Sequence, residues 1–142
     1  MGIANRFVES MDLFVTVWDR VVGRDEWEAM ARRQVADERW PYATRLLTDT
    51  TSFDPASLTR EDVVAVATIF DENRRRLGGT KHAIIASRGW ELARLFEVQI
   101  DPTGPTTIVF NYLEGACPWL GVEAGAVVGI LDELRRDLRQ GS

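Results

Sequence analysis

Three groups of residues carry chemistry that a site would need. One is Asp49-Thr50-Thr51-Ser52, a carboxylate followed by three hydroxyls. The second is Ser87-Arg88, a hydroxyl and a cation directly after an apolar run, Ala83–Ala86. The third is the pair of single residues His82 and Cys117. His82 and Ser87 suggest a base and a nucleophile, but five residues of strand separate them by roughly 16 Å, and odd spacing turns them to opposite faces. The chain has 1 His, so a Ser-His-Asp triad has no other base to draw on. A transition-metal site is equally short of ligands. Cys117, beside Pro118 and Trp119, reads as a small buried residue, with no neighbour that lowers a thiol pKa. The expectation is therefore a non-catalytic chain with no metal site and no cofactor.

The elements that would position these residues follow from hydrophobic period and punctuation. Thr80–Phe96 organises the chain: the run Ala83–Ala86 stops at Ser87, and Leu92, Leu95 and Phe96 then fall at helical spacing. That is how a buried parallel strand feeds a helix. In an open α/β sheet, ligands sit beyond the carboxyl ends of strands, here Asp49–Ser52 and Ser87–Trp90. Ser87 reads as the cap of the following helix, whose free N–H groups and Arg88 would hold an anion. The alternatives are a plain cap, a solvated Arg88, and an Asp49 that bonds nearby backbone N–H groups to end its strand.

Upstream, Phe7–Glu9 and Leu13–Trp18 read as strands, the second alternating with bulk on both faces, and Ser10-Met11-Asp12 as a short turn that would join them in an antiparallel hairpin. A helix from Asp25 to about Arg39 buries Trp27, Met30, Ala31 and Val35, and Pro41 forbids its continuation. Ala43–Asp49 is predicted as a strand and Thr50–Ser57 as a polar turn. Thr59 caps a helix running to about Leu77, with Gly78 as its left-handed stop. After the central stretch come a turn at Asp101–Pro105, a strand Thr106–Phe110, a helix Leu113–Leu120 and a last helix Glu123–Arg139. The order is ββαβαβαβαα. It predicts a single α/β domain with a mostly parallel five-stranded sheet and helices on its faces.

At 142 residues the chain suits one domain with one core. Hydrophobic residues are 45% and charged residues 27%, an ordinary globular balance. The net charge of −5 argues against a nucleic-acid surface. Arg74–Arg76 and Arg135, Arg136 and Arg139 lie near predicted helix ends, where they complement the dipole. A single Cys excludes an intrachain disulfide framework. MGIANRF lacks a long apolar segment, and no apolar run approaches the ~18 residues of a membrane span. A cytoplasmic protein is expected.

Four local patterns, taken in order, resemble the STAS-like, SpoIIAA-like superfamily, which overlaps the CRAL-TRIO lipid-binding fold. They are Val21-Val22-Gly23-Arg24-Asp25-Glu26-Trp27; Leu46-Leu47-Thr48-Asp49; Ala83-Ile84-Ile85-Ala86-Ser87 with Leu92-Ala93-Arg94-Leu95-Phe96; and Val109-Phe110 with Ala116 and Trp119-Leu120. The resemblance implies a STAS-like domain over 1–121, followed by a C-terminal helix over 122–142. It also implies a non-catalytic regulatory or ligand-binding module. One departure stands out. Anti-anti-sigma members carry an Asp-Ser-Ser-Gly-type phosphoacceptor, whereas this chain reads Asp49-Thr50-Thr51-Ser52-Phe53-Asp54. The Ser-Gly helix start is missing, which puts kinase-driven partner switching in question.

Two further surfaces bear on partners. Trp27, Trp40, Trp90 and Trp119 are either core or the lining of an apolar, lipid-like ligand pocket. Gly125 and Gly129 form a Gly-x-x-x-Gly pair on a helix with a Val/Leu stripe, which suggests close packing against another backbone. That backbone is either the helix's own sheet or a second copy of the chain, which would make a homodimer through Gly125, Val128 and Leu131. The leading expectation is a binding or regulatory module for a protein partner or a small anionic ligand. An apolar-ligand binder and an enzyme with an unrecognised site are the alternatives.

Overall fold

The computed structural model describes residues 1–40, 45–100 and 103–141. Five strands are present: β1 Ile3–Val8, β2 Leu13–Arg20, β3 Arg45–Phe53, β4 Lys81–Ile85 and β5 Thr106–Phe110. Six helices interleave with them: α1 Arg24–Val35, α2 Arg60–Glu72, α3 Arg74–Leu77, α4 Trp90–Gln99, α5 Leu113–Leu120 and α6 Ala124–Gln140. The strands make one sheet in the order β1-β2-β3-β4-β5. β1 runs antiparallel to β2, and the other neighbours are parallel. The sheet is therefore mixed, not the mostly parallel one expected. The cause is the short connection between β1 and β2, a 3-10 turn at Glu9–Met11 closed by Asp12 at φ 46. So few residues can reverse a chain, but they cannot make the crossover that a parallel pair needs.

The alternation of β2 sorts the molecule into two cores. Phe14 and Trp18 face one side with Trp27 and Met30 of α1, Val63 and Phe70 of α2 and Phe96 of α4. Leu13, Val15 and Val17 face the other side with Ala116 and Leu120 of α5 and Val127, Leu131 and Leu134 of α6. Both faces of β2 are covered, as its bulk on both sides predicts. Sequential parallel strands joined by right-handed crossovers place α1, α2 and α4 on one face. The opposite face is left for α5 and α6.

Several boundaries differ from the sequence reading, each for a local reason. β1 starts at Ile3, ahead of Phe7, because its register with β2 extends to Ile3 opposite Trp18. α1 ends at Val35 because Asp37 turns the chain, its Oδ1 accepting the Arg39 N–H at 2.9 Å. β3 continues through the predicted turn to Phe53, since Ser52 and Phe53 still pair with Asp19 and Arg20 of β2. The start predicted for that strand, Ala43, lies outside the described residues, as do Pro41 and the beginning of the Asp101–Pro105 turn. Thr59 does cap α2, in a reciprocal capping box with Asp62. α2 then stops at Glu72, where the Asn73 side chain donates to the Ile69 carbonyl at 2.8 Å. The left-handed residue after α3 is Gly79, at φ 84, not Gly78, at φ −56.

α6 lies on β2 and β1 of its own sheet. Leu131 is buried there and belongs to the core, so it is not available to a second copy. Gly125 and Gly129 are exposed, and a Cβ on Gly129 would meet no atom within 4 Å. The glycine pair is thus not the line of contact with the sheet. Val128 shares the exposed face.

Candidate functional site

The carboxyl end of β3 does not gather its polar residues at one point. Side chains of a strand alternate between faces, so Asp49 and Thr51 turn toward α6, while Thr50 turns toward α1, α2 and α4. Asp49 is 4% exposed. Its Oδ1 accepts from Thr51 N at 2.9 Å and from Thr51 Oγ1 at 2.7 Å, and its Oδ2 accepts from the Arg135 guanidinium. Asp49 does accept a nearby backbone N–H, from Thr51, but it does not end the strand, which continues to Phe53; its other oxygen meets a cation 86 residues away in sequence. Asp19 on β2 lies on the same face, with the Arg139 Nε 3.6 Å from its Oδ2. Two arginines of α6 at i and i+4 thus tie the helix to the carboxyl ends of two strands. Charges that sequence alone assigns to the helix dipole have these buried partners.

Ser87 does not cap α4. The chain turns through Ala86–Gly89 before the helix starts, Gly89 holds the cap position, and the Ser87 hydroxyl donates to the Thr51 carbonyl at 3.2 Å. Arg88 is exposed and lines a shallow depression with Thr59, Arg60 and Glu91 near the starts of α2 and α4. Ser52 is half-buried beside Asp19 in the sheet register. Of the six residues expected to bind a ligand, only Thr50 faces the interior space described next.

That space is a cavity of about 50 Å³ between the sheet and α1, α2 and α4. Trp18, Thr48, Thr50, His82 and Ile84 make its sheet wall, and Trp27, Met30, Gln34, Val63, Phe70, Leu92, Ala93 and Phe96 its helical wall. Phe53 closes one end. A Cβ on Gly89 would come within 3.3 Å of its ring, so the absence of a side chain at that turn gives the ring room. Trp18 stands edge-on to both Trp27 and Phe53, with ring centroids 4.8 and 5.0 Å away. Trp27 and Trp18 both belong to the first core and line this space. Trp40 instead stacks on Phe14, and Trp119 packs on Phe110 at the other face. Trp90 is half-buried at the start of α4.

The polar groups of this cavity were not evident from sequence. His82 Nε2 shares a 2.8 Å hydrogen bond with Thr48 Oγ1, and its ring lies beside Phe70 and Phe96. Burial among these rings lowers its pKa to about 4, so the imidazole is neutral near pH 7. Thr50 Oγ1 donates to the Ile85 carbonyl at 2.8 Å. Trp18 Nε1 and Gln34 Nε2 are buried without a hydrogen-bond partner among the described residues, as are Trp40 Nε1 and Thr107 Oγ1 elsewhere. The available signal was parity: Thr48 and Thr50 interrupt the face begun by Leu46, and Gln34 falls on the buried stripe of α1. Cys117 lies in the second core, where burial and the nearby Glu114 raise its thiol pKa.

Among the described residues, no cluster of three or more His, Cys, Asp or Glu side chains is placed to hold a metal ion, and no helix is long and apolar enough to cross a membrane. No family model matches this chain, and no curated protein does.

Proposed function

We propose that this chain is a non-catalytic cytoplasmic binding or regulatory module of STAS-like type that holds a small apolar ligand between its sheet and α1, α2 and α4. The observation that carries the reading is the cavity itself. It is walled by two tryptophans, three phenylalanines and aliphatic side chains, and includes a few placed polar groups, the usual composition of a small-molecule site. The STAS-like part is supported by the element order ββαβααβαβαα and by the sequential pairing of the strands. The non-catalytic part is supported by the commitments of the reactive groups: His82 to Thr48, Asp49 to Arg135, and Cys117 to the opposite core.

Xenon, a spherical apolar probe, tests the reading. Dissolved xenon should shift the methyl resonances of Ile84, Val63 and Leu92 saturably, and Ala93→Leu, which adds three carbons at the wall, should abolish those shifts. Unmoved methyls around the cavity, or shifts that survive Ala93→Leu, would sink it. A second reading keeps the anionic ligand of the sequence analysis and moves it to the depression beside Arg60 and Arg88. It is favoured by two cations there for which no ion pair is present among the described residues.

A further inference from the structure

The geometry points to β1 as an edge that pairs with β1 of a second copy of this chain, antiparallel across a two-fold axis, so that one sheet runs through both copies. The Gly2 carbonyl accepts from the Asp19 N–H at 2.8 Å, which continues the β1–β2 register one residue beyond Ile3 and Trp18. Antiparallel pairs alternate between hydrogen-bonded and non-hydrogen-bonded. Ala4, Arg6 and Val8 therefore turn their peptide groups toward β2, and Ile3, Asn5 and Phe7 turn theirs outward. The Ile3 N–H agrees with this parity, since it donates to Glu26 Oε2 at 3.0 Å and not to a strand. Past that cap, the Asn5 and Phe7 peptide groups face away from the sheet with no partner strand among the described residues. Free donors and acceptors on an edge are a template for another strand. The opposite edge, β5, is closed. Thr106 and Phe110 bond toward β4, so Val109 turns outward, and its N–H donates to Glu97 Oε1 of α4 at 3.1 Å.

A second copy fits this edge in hydrogen bonds, apolar contact and charge. With Asn5 of one copy opposite Phe7 of the other, each residue donates its N–H to the other's carbonyl, and the pairing repeats across the axis. That register does not call on the Ile3 N–H that Glu26 holds. It also sets the half-buried Ala4 against Val8 of the second copy on the α6 side, which extends the apolar cluster beneath that helix. Arg6 falls at the axis, where two like charges facing each other would oppose the pairing. Each Arg6 already meets Glu133 at 2.5 Å and Asp137 at 3.7 Å on its own α6. Those carboxylate side chains are 55% and 64% exposed on the side of α6 above β1. The two cations thus lie among the carboxylates of both helices, which outnumber them. A two-fold contact of this kind uses the same patch on both copies and closes at a dimer.

Sedimentation velocity of the full chain at micromolar concentrations should give twice the 16.0 kDa of one copy. In that dimer the Asn5 and Phe7 amide protons should exchange slowly with solvent, whereas in a monomer they face water. Asn5→Pro removes an outward N–H that β2 does not use, at an edge position where proline is tolerated. It should return the chain to a monomer with an unchanged circular dichroism spectrum. Asn5→Thr keeps the N–H and should remain a dimer. Both variants replace the side-chain amide that bonds Thr16 Oγ1 at 2.7 Å, so the comparison isolates the backbone donor. A monomeric wild-type chain whose two amides exchange freely would overturn the inference and leave the edge to a strand of some other protein. A folded Asn5→Pro that still sediments as a dimer would also overturn it, by placing the contact elsewhere. If Asn5→Pro does not fold, the exchange of the two amides in the wild-type dimer decides: slow exchange supports the pairing and free exchange refutes it.

Discussion

The chain's only histidine allows an unusually clean pH experiment. In the unfolded chain His82 has a pKa of about 6.5, and burial brings it to about 4 in the folded protein. The unfolded chain therefore binds a proton that the folded chain refuses wherever the pH lies between those values. Stability from this source is complete above about pH 6.5 and falls as pH drops toward 4, by about 1.4 kcal/mol per pH unit in between. Between pH 7 and pH 5 the loss comes to about 2 kcal/mol, before most carboxylates begin to titrate. Urea unfolding followed by tryptophan fluorescence at pH 7, 6 and 5 measures it directly. His82→Gln keeps a group able to bond Thr48 and removes the titration. Its absolute stability is immaterial, because the prediction concerns the slope with pH. The wild-type chain should lose about 2 kcal/mol more than the variant over this interval. Two slopes that agree to within about 0.5 kcal/mol would show that the imidazole reaches water or a proton acceptor in the folded state, against the burial described here.

Two further predictions concern α6. Arg135→Met removes the cation that faces Asp49, which is 4% exposed, and leaves a buried carboxylate with only its Thr51 bonds. Exposed pairs contribute about 0–1 kcal/mol and breaking a fully buried one costs about 3–5. The Arg135 side chain is 22% exposed, so a loss of about 2 kcal/mol is expected. A double-mutant cycle with Asp49→Asn should recover most of it, and a loss below about 0.5 kcal/mol would reduce the pair to an ordinary surface contact. Gly129→Ala, at an exposed helix position with open space around its Cβ, should stabilise the protein by about 0.5–1 kcal/mol. Destabilisation there, or a change in oligomeric state, would mean that the glycine face packs against something in solution.

Much of the scaffold was legible because it depends on neighbours in sequence. The alternation of Leu13, Val15 and Val17 with Phe14 and Trp18 is visible in about six residues, and both covered faces follow from it. Thr59 and Asp62, three positions apart, form their capping box from local chemistry alone. The strand Thr106–Phe110 and the helix Leu113–Leu120 have the bounds that their apolar pattern predicts. The candidate site was less legible, because its members meet only through the sheet. Asp49 is three residues from Ser52 yet its charged partner is Arg135, and which arginine of α6 arrives there depends on how the helix lies across β1 and β2. Thr48 and His82 touch because parallel pairing sets Leu46 beside His82, a register no local pattern states. Gln34 becomes a buried donor without a partner among the described residues only when α1 packs against α2 and the sheet. Periodicity tells which face of an element is buried. What that face meets is decided by sheet order and crossover hand, which bring residues tens of positions apart to within hydrogen-bond reach.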